Sequence, residues 1–192
     1  MVLEAFQLNG KNALVTGSSR GLGAAIALAL AQAGANVGCH GRSADGNGSS
    51  EQIRQLGRKS FYVAGNMSDP ELGSALIRKV NEEFGSIDIL VNNAGTIRRA
   101  AAAEFPQRDW DELIAVNLTA VFRLSQLAGH DMLRRGAKGK IVNIEDMKPQ
   151  TLDSHCNKPK TQVRYALEMN LGWFKQKNIK PGTVIDGLPR TQ

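Results

Sequence analysis

The run Thr16-Gly17-Ser18-Ser19-Arg20-Gly21-Leu22-Gly23 constrains this chain more than any other feature. Ala13-Leu14-Val15-Thr16 leads into it and reads as a short buried strand. Leu22, Ile26 and Leu30, padded with alanines, follow at helical spacing. Passing from strand to helix through three glycines lets the backbone turn tightly and stay bare at the helix start. The free N–H groups and positive dipole end there suit an anion such as a pyrophosphate. Glycine spacing alone is a weak signal; its place between a strand and a helix makes it a strong one.

The same alternation continues. Residues 36–40, 61–64, 87–91 and 140–144 read as further strands. Gly34 ends the first helix, and the Gly/Ser-rich stretch 43–50 reads as a loop running into a helix at Glu51. Ser68-Asp69-Pro70 marks another helix start, with Leu72, Leu76, Val80 and Phe84 along one face. A long helical pattern spans 107–135, with Leu113, Val116, Leu118, Val121, Phe122 and Leu124 apolar. Strands separated by helices predict βαβ units, an α/β fold with a doubly wound parallel sheet. Right-handed crossovers then cover both sheet faces with helices. Asn92-Asn93-Ala94-Gly95 closes the fourth strand. Ligands of open parallel sheets bind outside the carboxyl ends of strands, so this segment and the glycine run face one crevice.

Composition narrows the setting. At 192 residues with 42% hydrophobic and 22% charged residues, the chain has the size and balance of one globular domain. Its two cysteines, Cys39 and Cys156, argue against a disulfide framework or a metal site and suit a reducing cytoplasm. The N-terminus lacks a secretory pattern, and no apolar run nears the roughly 20 residues that span a bilayer. The net charge of +6 comes from scattered lysines and arginines. Without a dense basic patch, nucleic acid is not an expected partner. The positive field instead favours an anionic cofactor.

The spacing Thr-Gly-x-x-x-Gly-x-Gly, then Asn-Asn-Ala-Gly, then Val116-Asn117-Leu118 in a long helix, then Gly139-Lys-Ile-Val-Asn-Ile144, resembles the short-chain dehydrogenase/reductase family. The resemblance runs over residues 6–144. It implies a Rossmann-type fold and hydride transfer between NAD or NADP and a carbonyl or secondary alcohol of a small-molecule substrate. Asn93-Ala-Gly-Thr-Ile-Arg-Arg99 with Glu104-Phe105 looks most like the members acting on sugar acids. By the same resemblance Gly17, Ser19, Arg20, Gly21, Leu22 and Gly23 would line the pyrophosphate and ribose. Asn66 and Met67 would meet the adenine, although the family usually has Asp where Asn66 stands. Asn93, Ala94 and Gly95 would lie along the cofactor, with Val116 near the nicotinamide. Oligomers would form through the long helix.

Cofactor choice turns on the end of the second strand, where an acid would bind the ribose 2′-hydroxyl. His40-Gly41-Arg42 carries none, and Arg42 with Arg20 suits a 2′-phosphate, so NADP is favoured over NAD. Arg98 and Arg99 offer charge to a substrate carboxylate; the alternative is a basic surface loop.

The family's catalytic set is Asn, Ser, Tyr and Lys. Asn117 matches the asparagine, and also reads as a helix-interior asparagine at a local kink. Asp146 stands where the serine is expected. The chain contains no Tyr-x-x-x-Lys: Tyr165 is followed four residues on by Met169. An unassisted tyrosine titrates near about 10 and is a poor base at neutral pH. Residues 145–192 carry four of the six prolines and weak periodicity, with a plausible helix over 161–177 and a short strand over 182–185. The expected organisation is thus a nucleotide-binding body, 1–144, and an atypical segment, 145–192, of a domain truncated at its C-terminus, with the family's usual tetramer contacts not expected. Two alternatives stand beside an active oxidoreductase: a nucleotide-binding relative without turnover, and an interaction domain that keeps only the fold.

Overall fold

The computed structural model describes residues 6–143. They lie in the first of two units into which the chain divides, Met1–Asp146 and Met147–Gln192. Five strands pair in parallel: β1 (Asn12–Val15), β2 (Asn36–Gly41), β3 (Ser60–Ala64), β4 (Ile89–Asn92) and β5 (Lys140–Asn143). Their order is β3-β2-β1-β4-β5. In the central register Leu14 of β1 lies between Gly38 of β2 and Leu90 of β4. The chain winds outward from β1 to β3, then crosses back to place β4 on the other side of β1. The carboxyl ends of β1 and β4 therefore flank the point where the winding direction reverses, the usual ligand crevice of such sheets.

Side chains alternate between two cores, as the period of two in a strand requires. Ala13, Val15, Val37, Cys39 and Val91 face α1 (Gly21–Gln32) and α2 (Ser49–Gln55), meeting Ala27, Ala31 and Ile53. Leu14, Phe61 and Leu90 face α3 (Leu72–Phe84) and α5 (Ala120–Arg134), meeting Leu76, Val80, Leu124 and Ala128. Because β1 and β4 are covered on both faces, they read as unbroken apolar runs.

Two helices differ from the sequence expectation. In α1 the buried stripe is Gly23, Ala27 and Ala31, and Leu22 is 60% exposed. Small residues let the helix lie close on the sheet, so the larger leucine and isoleucine flank the contact instead of making it. The pattern 107–135 is also not one helix. It comprises α4 (Gln107–Ile114), a π-helical turn over Ala115–Thr119, and α5. The π turn buries Val116 but leaves Leu118 and, one turn on, Phe122 exposed. Such bulges re-aim side chains and are common at functional sites.

At the opposite edge of the sheet, the buried Asp131 of α5 accepts from the Ile87 N–H at 3.4 Å, Arg135 Nε at 2.9 Å and Arg134 at 3.1 Å. Arg135 also donates to the Ile87 carbonyl and faces Asp88 at 3.8 Å. This cluster fastens the end of α5 to the residues entering β4. Among the described residues, no helix is long and apolar enough to cross a membrane, and no cluster of three or more His, Cys, Asp or Glu is placed to hold a metal. Asp146, Tyr165, the expected helix 161–177 and the expected strand 182–185 lie outside the described residues.

Candidate nucleotide-binding site

A cleft of ≈ 660 Å³ opens outside the carboxyl ends of β1, β2 and β4. Its floor is the glycine turn. Gly17 adopts φ +66°, a left-handed conformation that favours glycine, and a Cβ there would press on the Ala94 backbone at 2.9 Å. A Cβ on Gly23 would collide with the Gly17 carbonyl and the Asn93 carboxamide. Gly21 has φ +58° and nothing within 4 Å of where its Cβ would stand. The backbone is thus packed tightly beneath and left bare above.

The start of α1 is equally open. Its N-cap, Arg20, makes no side-chain capping bond, and the first turn holds no acid. The first N–H groups of a helix need partners, and the dipole there favours negative charge. An uncapped, acid-free helix start facing a cleft fits an anionic ligand.

The second wall is tied to the first by a short network. Thr16 Oγ1 accepts the N–H groups of Asn93 and Ala94 at 3.1 and 3.0 Å. Asn93 Nδ2 donates to the Thr16 and Gly17 carbonyls at 2.9 and 3.2 Å. Beneath them Asn92 donates to Ser125 Oγ at 3.0 Å and Asn143 Oδ1 at 2.9 Å, joining β4 to α5 and β5.

Every residue expected to line the cofactor borders this one cleft: Gly17, Ser19, Arg20, Gly21, Leu22, Gly23, Arg42, Asn66, Met67, Asn93, Ala94, Gly95 and Val116. The exposure of Leu22 is explained by its place on that wall. Asn117 projects from the π turn and clamps Thr96, accepting the Thr96 N–H at 2.9 Å and donating to its carbonyl at 2.8 Å. It therefore braces the loop after β4 from the kink at the π turn.

Seven further residues line it beyond those expected: His40, Gly41, Ser43, Asp45, Asn47, Thr96 and Glu112. Asp45 supplies an acid near Arg42 although His40-Gly41-Arg42 holds none. It reaches the cleft through a turn with left-handed residues at Gly46, Asn47 and Gly48. Asn47 pins that turn to the glycine run by donating to the Ser19 carbonyl at 3.1 Å. Glu112 reaches from α4 to Arg98 at 2.6 Å. Arg98 also donates to Thr96 Oγ1 and the Ile97 carbonyl, so its guanidinium is occupied within the protein, unlike a free carboxylate trap. Only the Gly-Asn-Gly triplet could have signalled such a turn in advance.

A short chain dehydrogenase family profile matches residues 11–150. A second profile, for an uncharacterised ACR, matches residues 129–187, under a third of the chain, and overlaps the first. The chain is 43% identical over 148 residues to the 2-dehydro-3-deoxy-D-gluconate 5-dehydrogenase of Escherichia coli, covering 77% of this chain and 58% of that protein. It is 40% identical over 142 residues to the gluconate 5-dehydrogenase of Gluconobacter oxydans, covering 73% and 55%. A putative 2-deoxy-D-gluconate 3-dehydrogenase from Agrobacterium tumefaciens, solved with bound NADP, superposes with a TM-score of 0.63 at 41% identity, covering 72% of this chain and 54% of that one. The chain thus spans a little over half the length of these relatives. With the fold, the glycine turn and the profile in agreement, the chain belongs to the short chain dehydrogenase family.

Proposed function

We propose that this chain binds a nicotinamide dinucleotide, NADP in preference to NAD, in the cleft at the carboxyl ends of β1, β2 and β4. The observation that carries the reading is the uncapped, acid-free start of α1 opening into a cleft floored by Gly17, Gly21 and Gly23. The turn and the first N–H groups of α1 hold the pyrophosphate. Arg20 and Arg42 face a 2′-phosphate, and Asn66 and Met67 the adenine; Asn93, Ala94 and Gly95 lie along the cofactor, and Val116 sits near the nicotinamide.

When bound, the dinucleotide supplies a hydride donor or acceptor. The substrate we propose is a hydroxyl or keto group of a small sugar acid, a reading supported by the names of the relatives at 40–43% identity. Asn117 acts as a bracing group that fixes the loop from Thr96 beside the reacting end. Asp146 and Tyr165 stand as the remaining candidates for substrate contact and proton exchange. The alternative is binding without turnover, favoured by the absence of any Tyr-x-x-x-Lys in the sequence. A second copy of the chain docks on α4 and α5 in this proposal, supported by the exposure of Trp110, Leu118 and Phe122. The buried free Cys39 agrees with work in a reducing cytoplasm.

Equilibrium titration with NADPH and NADH, followed through Trp110 and Trp173 fluorescence, tests the reading. Saturable binding supports it; no binding by folded protein overturns it. Oxidation of NADPH by keto sugar acids then separates the enzyme from the binder.

A further inference from the structure

Histidine at position 40 is not required by a glycine-turn pattern, yet His40 is only 1% exposed and touches both sides of the cleft floor. Its Nδ1 accepts the Gly17 N–H at 3.3 Å. Its Nε2 lies 3.2 Å from the Gly65 carbonyl oxygen, which can only accept, so Nε2 carries the proton and Nδ1 the bare lone pair. The backbone repeats the tie: the His40 N–H donates to Ser18 Oγ at 3.0 Å, and its carbonyl accepts the Ser18 N–H at 2.8 Å. One residue of β2 thus joins the glycine turn to Gly65, which follows β3 and leads directly to Asn66 and Met67.

We infer that His40 is a positioning residue for the nucleotide site: as a neutral imidazole in one tautomer it holds the glycine turn and Gly65 in register, and a proton on Nδ1 loosens the turn and weakens cofactor binding. The inference rests on the reading of the cleft as a nucleotide site. A second ring proton sets two donors, Nδ1–H and the Gly17 N–H, against each other and leaves a cation in a desolvated place. Burial pushes the imidazole below its ordinary value, and the hydrogen bond to Gly65 opposes part of that push.

Titratable groups on the surrounding elements are Arg20 ahead of α1, Arg42 and Asp45 after β2, Tyr62 on β3, Asp69 and Glu71 ahead of α3, and Glu112 on α4. None hydrogen-bonds to the ring, and the Tyr62 hydroxyl is engaged with the Ser43 carbonyl. A bound pyrophosphate attracts an imidazolium only from across the turn, whereas the donor clash acts at 3.3 Å and dominates. Affinity is therefore full at neutral pH and falls on the acid side of the ordinary imidazole value of about 6.5, by about tenfold per pH unit below the His40 transition.

The test is calorimetric titration with NADP+ and with NAD+ from pH 8 to pH 5. The wild type, His40→Asn and His40→Leu are compared, each shown folded by circular dichroism. NAD+ is needed because the 2′-phosphate of NADP+ itself titrates near about 6. Asn offers Oδ1 in place of Nδ1 and takes no proton; Leu offers no acceptor. The expected result is an acid loss common to both cofactors in the wild type. His40→Asn should bind within about threefold of wild type at pH 8 with a flat profile, and His40→Leu about tenfold more weakly throughout. A flat wild-type profile, an unchanged acid loss in His40→Asn, or wild-type affinity in His40→Leu overturns the inference. If His40→Leu does not fold, the wild type and His40→Asn decide between them. Failure of folded wild type to bind either cofactor at pH 8 overturns the nucleotide reading itself, and this inference with it.

Discussion

Thr16 and Asn93 hold each other across the cleft floor. The Thr16 hydroxyl accepts the Asn93 N–H at 3.1 Å, and the Asn93 carboxamide donates back to the Thr16 carbonyl at 2.9 Å. The same hydroxyl accepts the Ala94 N–H at 3.0 Å. Thr16→Val keeps the shape but leaves two N–H groups without their acceptor. We expect a loss of about 2 kcal/mol. In a chain of this size that lowers Tm by about 4–8 °C. Thr16→Ser, which keeps the oxygen, should lose much less. Thermal unfolding of the two variants checks this.

Gly23 packs where a methyl group would meet the Gly17 carbonyl and the Asn93 carboxamide. Backbone cannot yield as a flexible side chain does. Gly23→Ala should cost about 1–3 kcal/mol by overpacking and should weaken both cofactors together, because it displaces the turn that both share. Binding titrations alongside chemical denaturation separate the two effects. Loss of stability without loss of affinity would place Gly23 in the scaffold alone.

Arg42 and Asp45 share the wall after β2 with opposite charge. Arg42→Ala should weaken NADP+ by about 10- to 100-fold, the range of one charge-assisted hydrogen bond, and change NAD+ by no more than about threefold. Asp45→Asn should strengthen NADP+ by removing a like charge. Paired Kd values for the two cofactors give the answer. Equal losses for both in Arg42→Ala would remove the 2′-phosphate assignment.

Much of this was legible in the sequence because parallel strands are short apolar runs between helical patterns, and β1 through β5 fall within a residue or two of where those runs lie. The positions that line the cleft were legible because two segments at strand ends must share one edge. What could not be read follows from loop geometry. Asp45 and Asn47 reach the cleft only through consecutive left-handed residues, and Glu112 only because α4 leans toward Arg98. The buried stripe of α1 was not legible for a physical reason: close helix–sheet packing selects the small Gly23, Ala27 and Ala31, whereas the helical spacing of Leu22, Ile26 and Leu30 marks their larger neighbours.

Asp131 predicts the acid limb of stability. Burial alone would raise its carboxyl, but hydrogen bonds from Arg135, the Ile87 N–H and Arg134, with the charge of Arg135, hold it below the ordinary range. A carboxyl lowered on folding stabilises above its unfolded value of about 3.9, and that contribution disappears as pH falls through the folded value. Asp131→Asn should therefore cost up to about 3 kcal/mol at neutral pH, with the difference from wild type shrinking below about pH 4. Urea unfolding at pH 7 and pH 3.5 checks the sign. An undiminished difference at the lower pH would show that packing, not charge, sets the effect.

Amide chemical shifts on adding NADP+ test most directly whether a nicotinamide dinucleotide lies against the glycine turn. Saturable shifts are expected at Gly17, Ser19, Gly21, Leu22 and Gly23, at Asn93, Ala94 and Gly95, and at Asn66 and Met67. Amides of the Asp131 cluster at the opposite edge of the sheet should stay unmoved. Shifts confined to other surfaces, or none at millimolar cofactor, would contradict that placement.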